Sequence, residues 1–130
     1  MSVDHIFLDR CLEFSVKVHA ILESSDSKRL GPKMRDQLMA SSSSIGANVA
    51  EAGSAQSRAD FVSKFEIALK EARETGFRLA LLQRISPAQT ELQKWLLQEC
   101  YELTAVLVSS VKTIKASGIR TGKLEMRDQK

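Results

Sequence analysis

The sequence predicts an all-α protein, an antiparallel up-down-up-down bundle of four helices, with an irregular helical domain as the alternative. Apolar residues recur every three or four positions in four separate segments, which is typical of amphipathic helices. Only two prolines and six glycines occur in 130 residues. Val, Ile, Tyr and Thr do not alternate with polar residues as they would in half-buried strands. Because the connections between the segments are short, consecutive helices are expected to be antiparallel neighbours.

The first helix is predicted over residues 4–24. Its apolar stripe repeats with gaps of four and three, and consists of Phe7, Cys11, Phe14, Val18 and Ile21. The polar residues 24–29 then have the composition of a short connection. The repeat therefore predicts one buried face on this helix.

The second helix is predicted over residues 32–52. Pro32 suits a first helical position, where its missing N–H group would have no partner, and Gly53 is expected to end the helix with a positive φ. The segment contains four consecutive serines and further small residues, among them Ser42, Gly46 and Ala50 at four-residue spacing. Since small side chains allow close backbone approach, this helix is predicted to lie at the centre of the bundle. Asn48 is expected to be buried there and to fix the helix register by hydrogen bonding.

The third helix is predicted over residues 58–84. Ser57 and Asp60 approximate a capping box at its start. One apolar stripe is expected to face the core: Phe61, Phe65, Ala68, Ala72, Thr75, Leu79 and Leu82. A second stripe adds apolar surface beyond what one core needs, so this helix is a candidate for contact with another subunit.

The fourth helix is predicted over residues 87–116, with Ser86 as N-cap and Gly118 as the stop. Its core stripe is Leu92, Leu96, Cys100, Leu103, Leu107, Val111 and Ile114. Trp95 and Tyr101 lie off that stripe and are expected to meet something outside the monomer core. Residues 1–116 thus form the predicted bundle, and residues 117–130 a basic flexible tail.

The net charge of +3 is unevenly distributed along the chain. Residues 108–130 carry six basic and two acidic residues, a net +4, which leaves −1 for the first 107 residues. No apolar run reaches the roughly 20 residues needed to cross a bilayer, and the N-terminal residues lack the features of a signal peptide. A cytoplasmic protein that does not enter membranes is therefore expected.

The residues that enzymes use for catalysis do not converge in this sequence. The two histidines, His5 and His19, lie on one predicted helix, and neither follows a glutamate at the Glu-x-x-His spacing of carboxylate-bridged metal sites in bundles. Cys11 and Cys100 fall within apolar stripes and are expected to be core thiols. A serine nucleophile would need a base and an orienting partner. The sequence therefore predicts no enzyme, no metal and no cofactor.

Several segments together resemble a known bacterial family. They are the Ser-Ser-Ser-Ser-Ile-Gly-Ala-Asn-Val-Ala-Glu-Ala run at 41–52, Ser-Arg-Ala-Asp-Phe at 57–61, and Ala-Leu-Lys-Glu-Ala-Arg-Glu-Thr at 68–75. They are similar to the small bundle proteins encoded in intervening sequences of 23S ribosomal RNA genes, a family that resembles in fold the accessory variability protein of diversity-generating retroelements. The resemblance implies a homopentameric barrel and a basic surface for nucleic acid, with a reverse transcriptase as a further partner.

The function favoured by these observations is non-enzymatic, oligomeric binding of RNA or DNA. Its expected phosphate contacts are Arg58, Lys112, Lys115, Arg120 and Lys123. The alternative is a protein-interaction scaffold, such as a reverse-transcriptase accessory subunit, without nucleic-acid affinity of its own.

Overall fold

The structure is a computed structural model that describes residues 2–128, with side chains described through Ser117. This range is all-α, as predicted, and contains no strand. It consists of four α-helices and one short 3-10 helix, which follows the first α-helix: α1 His5–Leu22, the 3-10 helix Ser25–Leu30, α2 Pro32–Ala52, α3 Arg58–Ile85 and α4 Glu91–Asp128. No helix in the described range is long and apolar enough to cross a membrane.

Local capping explains where α1 and α3 begin. The Asp4 side chain accepts a hydrogen bond from the Ile6 amide at 2.8 Å. Ser57 Oγ accepts from the Asp60 amide at 3.0 Å, and Asp60 Oδ2 accepts in return from the Gln56 amide at 3.2 Å. The predicted capping box is therefore present, with its return bond made to the residue before the N-cap.

The predicted start of α4 at Pro87 is wrong. The helix begins at Glu91, and Thr90 Oγ1 accepts from the Gln93 amide at 3.2 Å. Ser86 Oγ accepts from the Ala88 amide at 3.2 Å, as a cap would, and its buried hydroxyl also bonds with Asp26 of the 3-10 helix and with Gln93 Nε2. The local bond expected of a cap is therefore made, but no helix begins there.

The expected helix ends also differ from the structure. α4 extends to Asp128 and passes through Gly118, which was expected to stop it. A glycine within a helix costs only about 1 kcal/mol relative to alanine, so it does not by itself end one. Gly53 ends α2 with a φ of −62°, and the positive φ among the described glycines belongs instead to Gly31, at 79°.

The predicted core stripes of α1 and α3 are confirmed, because all their residues are buried. Of the predicted α4 stripe, Leu96, Cys100, Leu103, Leu107 and Val111 are buried, while Leu92 and Ile114 at its ends are half-buried against the core. Phe61 and Phe65 stack with ring centroids 4.8 Å apart. The spacing of apolar residues therefore correctly identified the inward face of each of these helices.

The prediction that α2 is the central helix is wrong. α2 packs against α1 and α3, while α4 packs against α3 and α1, so α2 and α4 are not neighbours within the described residues. The outward side of α2 carries small exposed residues, Ala40, Ser43, Ala47 and Ala50. Small side chains permit close packing but do not require it, and only the inward side of α2 is closely packed against other helices.

Polar groups join α2 to its two neighbours. Thr75 Oγ1 of α3 lies 2.9 Å from Ser41 Oγ, with both residues buried. Ser15 Oγ of α1 donates to the Ser42 carbonyl at 3.2 Å. Asn48 is only half-buried, and its amide donates at 2.8 Å to the Ser44 carbonyl within α2. The interhelical polar bond expected of Asn48 is thus made by Ser41 and Thr75.

Changing Gly76 to alanine is expected to raise the free energy of unfolding by about 0.5 to 1 kcal/mol. A Cβ atom at this position would lie 3.5 Å from Cys100 Sγ, an ordinary contact distance, while alanine favours the helix over glycine by about that amount. Denaturant titration followed by circular dichroism measures the change. A loss of stability would mean that α3 and α4 lie closer together here than described.

Candidate nucleic-acid interface

Two of the predicted phosphate-binding residues lie in one groove between α3 and α4. Arg58, the first residue of α3, places its Nη1 atom 3.4 Å from Ser117 Oγ on α4. Lys115 lines the same groove, together with Val62 and Ile114. The groove is open and encloses about 620 Å³. Residues 57 positions apart in the sequence thus share one surface because α3 begins alongside the C-terminal part of α4.

Lys115 is already paired within this groove. Its Nζ atom lies 2.8 Å from Glu66 Oε1, and both side chains are about half exposed. Exposed pairs of this kind contribute roughly 0 to 1 kcal/mol, so a phosphate could replace the Glu66 carboxylate at little cost. Glu66 therefore opposes anion binding only weakly.

Lys112 lies outside this groove. It is exposed and lines a second groove on α4, with Tyr101, Val108 and Ser109. It forms no ion pair with another residue whose side chain is described. The structure therefore brings Arg58 and Lys115 together and leaves Lys112 one helical turn away.

The other two predicted contacts, Arg120 and Lys123, belong to the C-terminal part of α4. Their side chains lie outside the described residues. The same holds for the rest of the proposed basic tail, residues 118–130, so its flexibility stays a prediction.

The exposed charges are divided between two sides of the bundle. On α1 and α2 the exposed charged residues are mainly acidic: Asp9, Glu13, Asp36 and Glu51, against Lys33. On α3 and α4, up to Ser117, they are mainly basic: Arg58, Lys70, Arg73, Arg84, Lys94, Lys112 and Lys115, against Glu66, Glu91 and Glu102. The outward surface of α3 and α4 is therefore basic and that of α1 and α2 acidic, while the exposed Lys28 and Arg29 lie on the 3-10 helix that joins α1 to α2.

The sequence analysis missed the basic stripe of α3. Lys70, Arg73 and Arg84 are all exposed, and they lie on one helical face with Phe77 and Ala80, with gaps of three and four residues. The alternation of Glu66, Lys70, Glu74 and Arg78 concealed this stripe, because it suggested a neutral solvated face. In the structure, Glu74 pairs with Arg78 at 3.7 Å, which leaves Lys70 on the basic stripe. Counting charges by helical face, instead of along the chain, would have found it.

Arg10 has a structural role on another side of the bundle. Its guanidinium donates to both carboxylate oxygens of Glu99, at 2.9 and 2.6 Å, and so joins α1 to α4. The hydrogen bond to Glu99 raises the pKa of Arg10 above its ordinary value. This bidentate pair holds Arg10 in the fold and keeps it from offering its charge to a ligand.

The groups available for catalysis are few in the described residues. Burial raises the pKa of the Cys11 thiol to about 12 and that of the Cys100 thiol to about 11, so both are protonated at neutral pH and are poor nucleophiles. A depression of about 410 Å³ at one end of the bundle is lined by Phe7, Phe61 and Phe65, and Asp4 is the one titratable residue in its lining. No group of three or more His, Cys, Asp or Glu residues in this range could hold a metal ion.

The fold is that of a helical-bundle protein, and the charged and aromatic groups described above lie on its outer faces. Comparison with known families identifies the family: the chain belongs to the 23S rRNA-intervening sequence protein family, whose model matches residues 4–109. Of the predicted contacts, Arg58 falls within the matched residues, whereas Lys112 and Lys115 lie beyond them.

A solved structure from Bacteroides thetaiotaomicron VPI-5482 is similar to this fold. It is described as a protein of unknown function from the S23 ribosomal protein family. The two chains are 38% identical with a TM-score of 0.75, and the similarity covers 84% of this chain and 97% of the other. No curated protein matches the sequence.

Proposed function

We propose that this protein is a non-enzymatic, homo-oligomeric nucleic-acid-binding protein of the cytoplasm. In this proposal an antiparallel up-down-up-down four-helix bundle assembles as a homopentamer, and Arg58, Lys112, Lys115, Arg120 and Lys123 contact RNA phosphates. The observation that carries the nucleic-acid part is the groove shared by Arg58 and Lys115 on the basic side of the bundle. Because the groove lies next to the C-terminal part of α4, a single strand of RNA would be able to contact both the groove and the last turns of that helix.

Binding through phosphates is expected to depend steeply on salt, because each neutralised phosphate releases counterions. The logarithm of the binding constant should fall by roughly 0.7 to 0.9 per contact for each tenfold rise in salt. Filter binding of a labelled RNA at several salt concentrations measures this slope. Lys115→Ala should weaken binding and reduce the slope by about one contact.

Two further variants make the test specific to the groove. Glu66→Gln should strengthen binding by up to about fivefold, equivalent to roughly 1 kcal/mol, because it frees Lys115. Lys33→Ala removes an exposed lysine from α2, on the acidic side, and should leave binding unchanged. Absence of RNA retention even at low salt would contradict the proposal. If Lys115→Ala and Lys33→Ala lowered the affinity for RNA equally, the phosphate contacts would not lie in this groove.

Exposed aromatic residues favour the second candidate function, a scaffold that binds a protein such as a reverse transcriptase. Phe77 and Tyr101 are 71% and 72% exposed, and Trp95 is 40% exposed. Such groups are enriched where proteins meet. Deleting residues 117–130 separates the two functions, since a scaffold should keep its protein partner while an RNA-binding protein should lose the part of its RNA affinity that Arg120 and Lys123 contribute.

A further inference from the structure

The outward surface formed by α3 and α4, here called the basic face, combines exposed aromatic and basic groups. Phe77 lies on the stripe that contains Lys70, Arg73 and Arg84. A Cβ atom on Gly76 would lie 3.5 Å from Cys100 Sγ, and this contact places Phe77 and Tyr101, the next residue of each helix, at the same level of the bundle. Both aromatic side chains are more than 70% exposed. The basic face therefore presents two large apolar groups surrounded by cations.

The outward surface formed by α1 and α2, here called the acidic face, has a different shape and the opposite charge. Leu12 and Val16 of α1 are 61% and 53% exposed. They lie beside the small residues of α2, because the two helices approach closely at Gly46, where an added Cβ atom would lie 3.9 Å from the Leu12 amide nitrogen. The exposed residues Asp9, Glu13, Asp36, Ser43 and Ala47 complete this face. Because Glu13 pairs with Lys17 at 3.7 Å, the acidic charge at its margin comes mainly from Asp9 and Asp36.

The two faces lie on opposite sides of the molecule. α1 packs against α2 and α4, and α3 packs against α2 and α4, so the pair α1–α2 is across the bundle from the pair α3–α4. Contact between two copies of the basic face would bring Lys70 and Arg73 close to other cations, which is unfavourable. The surfaces are thus complementary to each other and not to themselves.

We propose that the basic face of one copy of this chain docks on the acidic face of the next copy, head to tail. Phe77 and Tyr101 pack on Leu12 and the small residues of α2, and the surrounding cations meet the acidic margin. Every copy then uses both faces, and such a heterologous contact produces a ring when its rotation closes. This inference rests on the proposed homo-oligomeric assembly and specifies which surfaces build it.

The docked surfaces are centred away from the proposed nucleic-acid groove. Lys115 lies 14 residues after Tyr101 on the same helix, which corresponds to about 21 Å at 1.5 Å per residue. Subunit contact centred on Phe77 and Tyr101 is therefore displaced from Arg58 along the bundle. Lys70 and Arg73, which share a surface depression with Lys115, lie between the two contact regions.

Two variants, each altered on one face, test the arrangement by sedimentation. The first carries Phe77→Glu and Tyr101→Glu, which place anions opposite the acidic margin. The second carries Leu12→Arg and Ala47→Arg, which place cations opposite the basic face. Each variant alone should sediment as a 14.4 kDa monomer. An equimolar mixture should form dimers of twice that mass and nothing larger, because each variant retains the face that the other needs.

Matched controls use Ile67, an apolar residue of α3 that is 38% exposed. Ile67 lies three residues after Lys64, which pairs with Glu51 of α2 at 3.1 Å, so it belongs to neither outward face. Ile67→Glu and Ile67→Arg should keep the wild-type size. Circular dichroism confirms that each variant is folded. A variant that is not folded is replaced by single substitutions at the same exposed positions.

The possible failures have separate meanings. If the wild type is an oligomer and the mixed variants stay monomeric, or if either variant alone keeps the wild-type size, head-to-tail docking of these faces is overturned while the homo-oligomer stands. If the wild type is a monomer at every concentration, the proposed homo-oligomer is itself overturned. Mixed dimers that dissociate at high salt would support the charge complementarity of the two faces.

Discussion

Replacing Gly46 with leucine is expected to lower the free energy of unfolding by about 1 to 2 kcal/mol. Gly46 is where α1 and α2 come closest: an added Cβ atom would lie 3.2 Å from Cys11 Cβ and 3.8 Å from the Cys11 carbonyl carbon. Cys11 Cβ is attached directly to the α1 backbone, so it cannot turn away as the end of a flexible side chain could. A leucine side chain must therefore push the helices apart, and overpacking typically costs about 1 to 3 kcal/mol. The loss exceeds the gain of about 1 kcal/mol from replacing a helical glycine.

Chemical denaturation of the variant and of a matched control measures this effect. Ala40→Leu inserts the same side chain on the exposed side of α2 and should change stability by less than about 0.5 kcal/mol. The free energy of unfolding of Gly46→Ala should lie between those of the wild type and Gly46→Leu. If Gly46→Leu were as stable as Ala40→Leu, the close approach of α1 and α2 at this position would be refuted.

This close contact also illustrates what the sequence could predict about the fold. The small residues Ser42 and Gly46, four positions apart, correctly indicated that another backbone approaches α2, whereas Ala50, the third residue of that spacing, is exposed. The spacing did not indicate that Ala40 and Ala47, which are equally small, face solvent. Residue size limits what can pack on a helix, whereas the position of the other helices decides which side is packed.

The same distinction separates the confirmed helix boundaries from the incorrect ones. Ser57 caps α3 through a hydrogen bond from the Asp60 amide, and Pro32 has its φ fixed at a value that suits the first residue of α2, so both helix starts could be predicted from the local sequence. Ser86 makes the local bond, from the Ala88 amide, but it also bonds with Asp26, sixty residues away in the chain, and the helix begins only at Glu91. A pattern of neighbouring residues does not contain such tertiary contacts.

The sequence could indicate basic residues as candidates for the site, but not how they are arranged in space. A basic C-terminal segment suggested nucleic acid, but the contact between Arg58 and Ser117 depends on how α3 and α4 pack. The basic stripe through Lys70, Arg73 and Arg84 was present in the sequence as a helical spacing. It was missed because charges were summed along the chain, and opposite signs on different sides of a helix cancel in such a sum.

A loss of stability at alkaline pH is the second large effect expected from this structure. Burial raises the pKa values of Cys11 and Cys100 from an ordinary 9.0 to about 12 and about 11. At a pH between the ordinary pKa of 9.0 and the raised values, the unfolded chain has released the two thiol protons while the folded chain still holds them. The unfolded state therefore binds fewer protons, and the free energy of unfolding falls as pH rises. The thiol contribution is constant below about pH 9 and is lost above it, at roughly 1.4 kcal/mol per pH unit for each thiol.

Urea denaturation at intervals from pH 8 to pH 11 measures this dependence. The thiol contribution is the difference between the wild type and a Cys11→Ala, Cys100→Ala variant, because every other group is common to both proteins. That variant should be less stable at pH 8, because it leaves small cavities in the core, but its stability should fall less steeply above pH 9. Parallel pH profiles would show that the thiols ionise equally in both states, which contradicts their burial. Slow reaction of both native thiols with a disulfide reagent at pH 8, becoming fast in urea, is the corresponding kinetic expectation, because only the thiolate reacts.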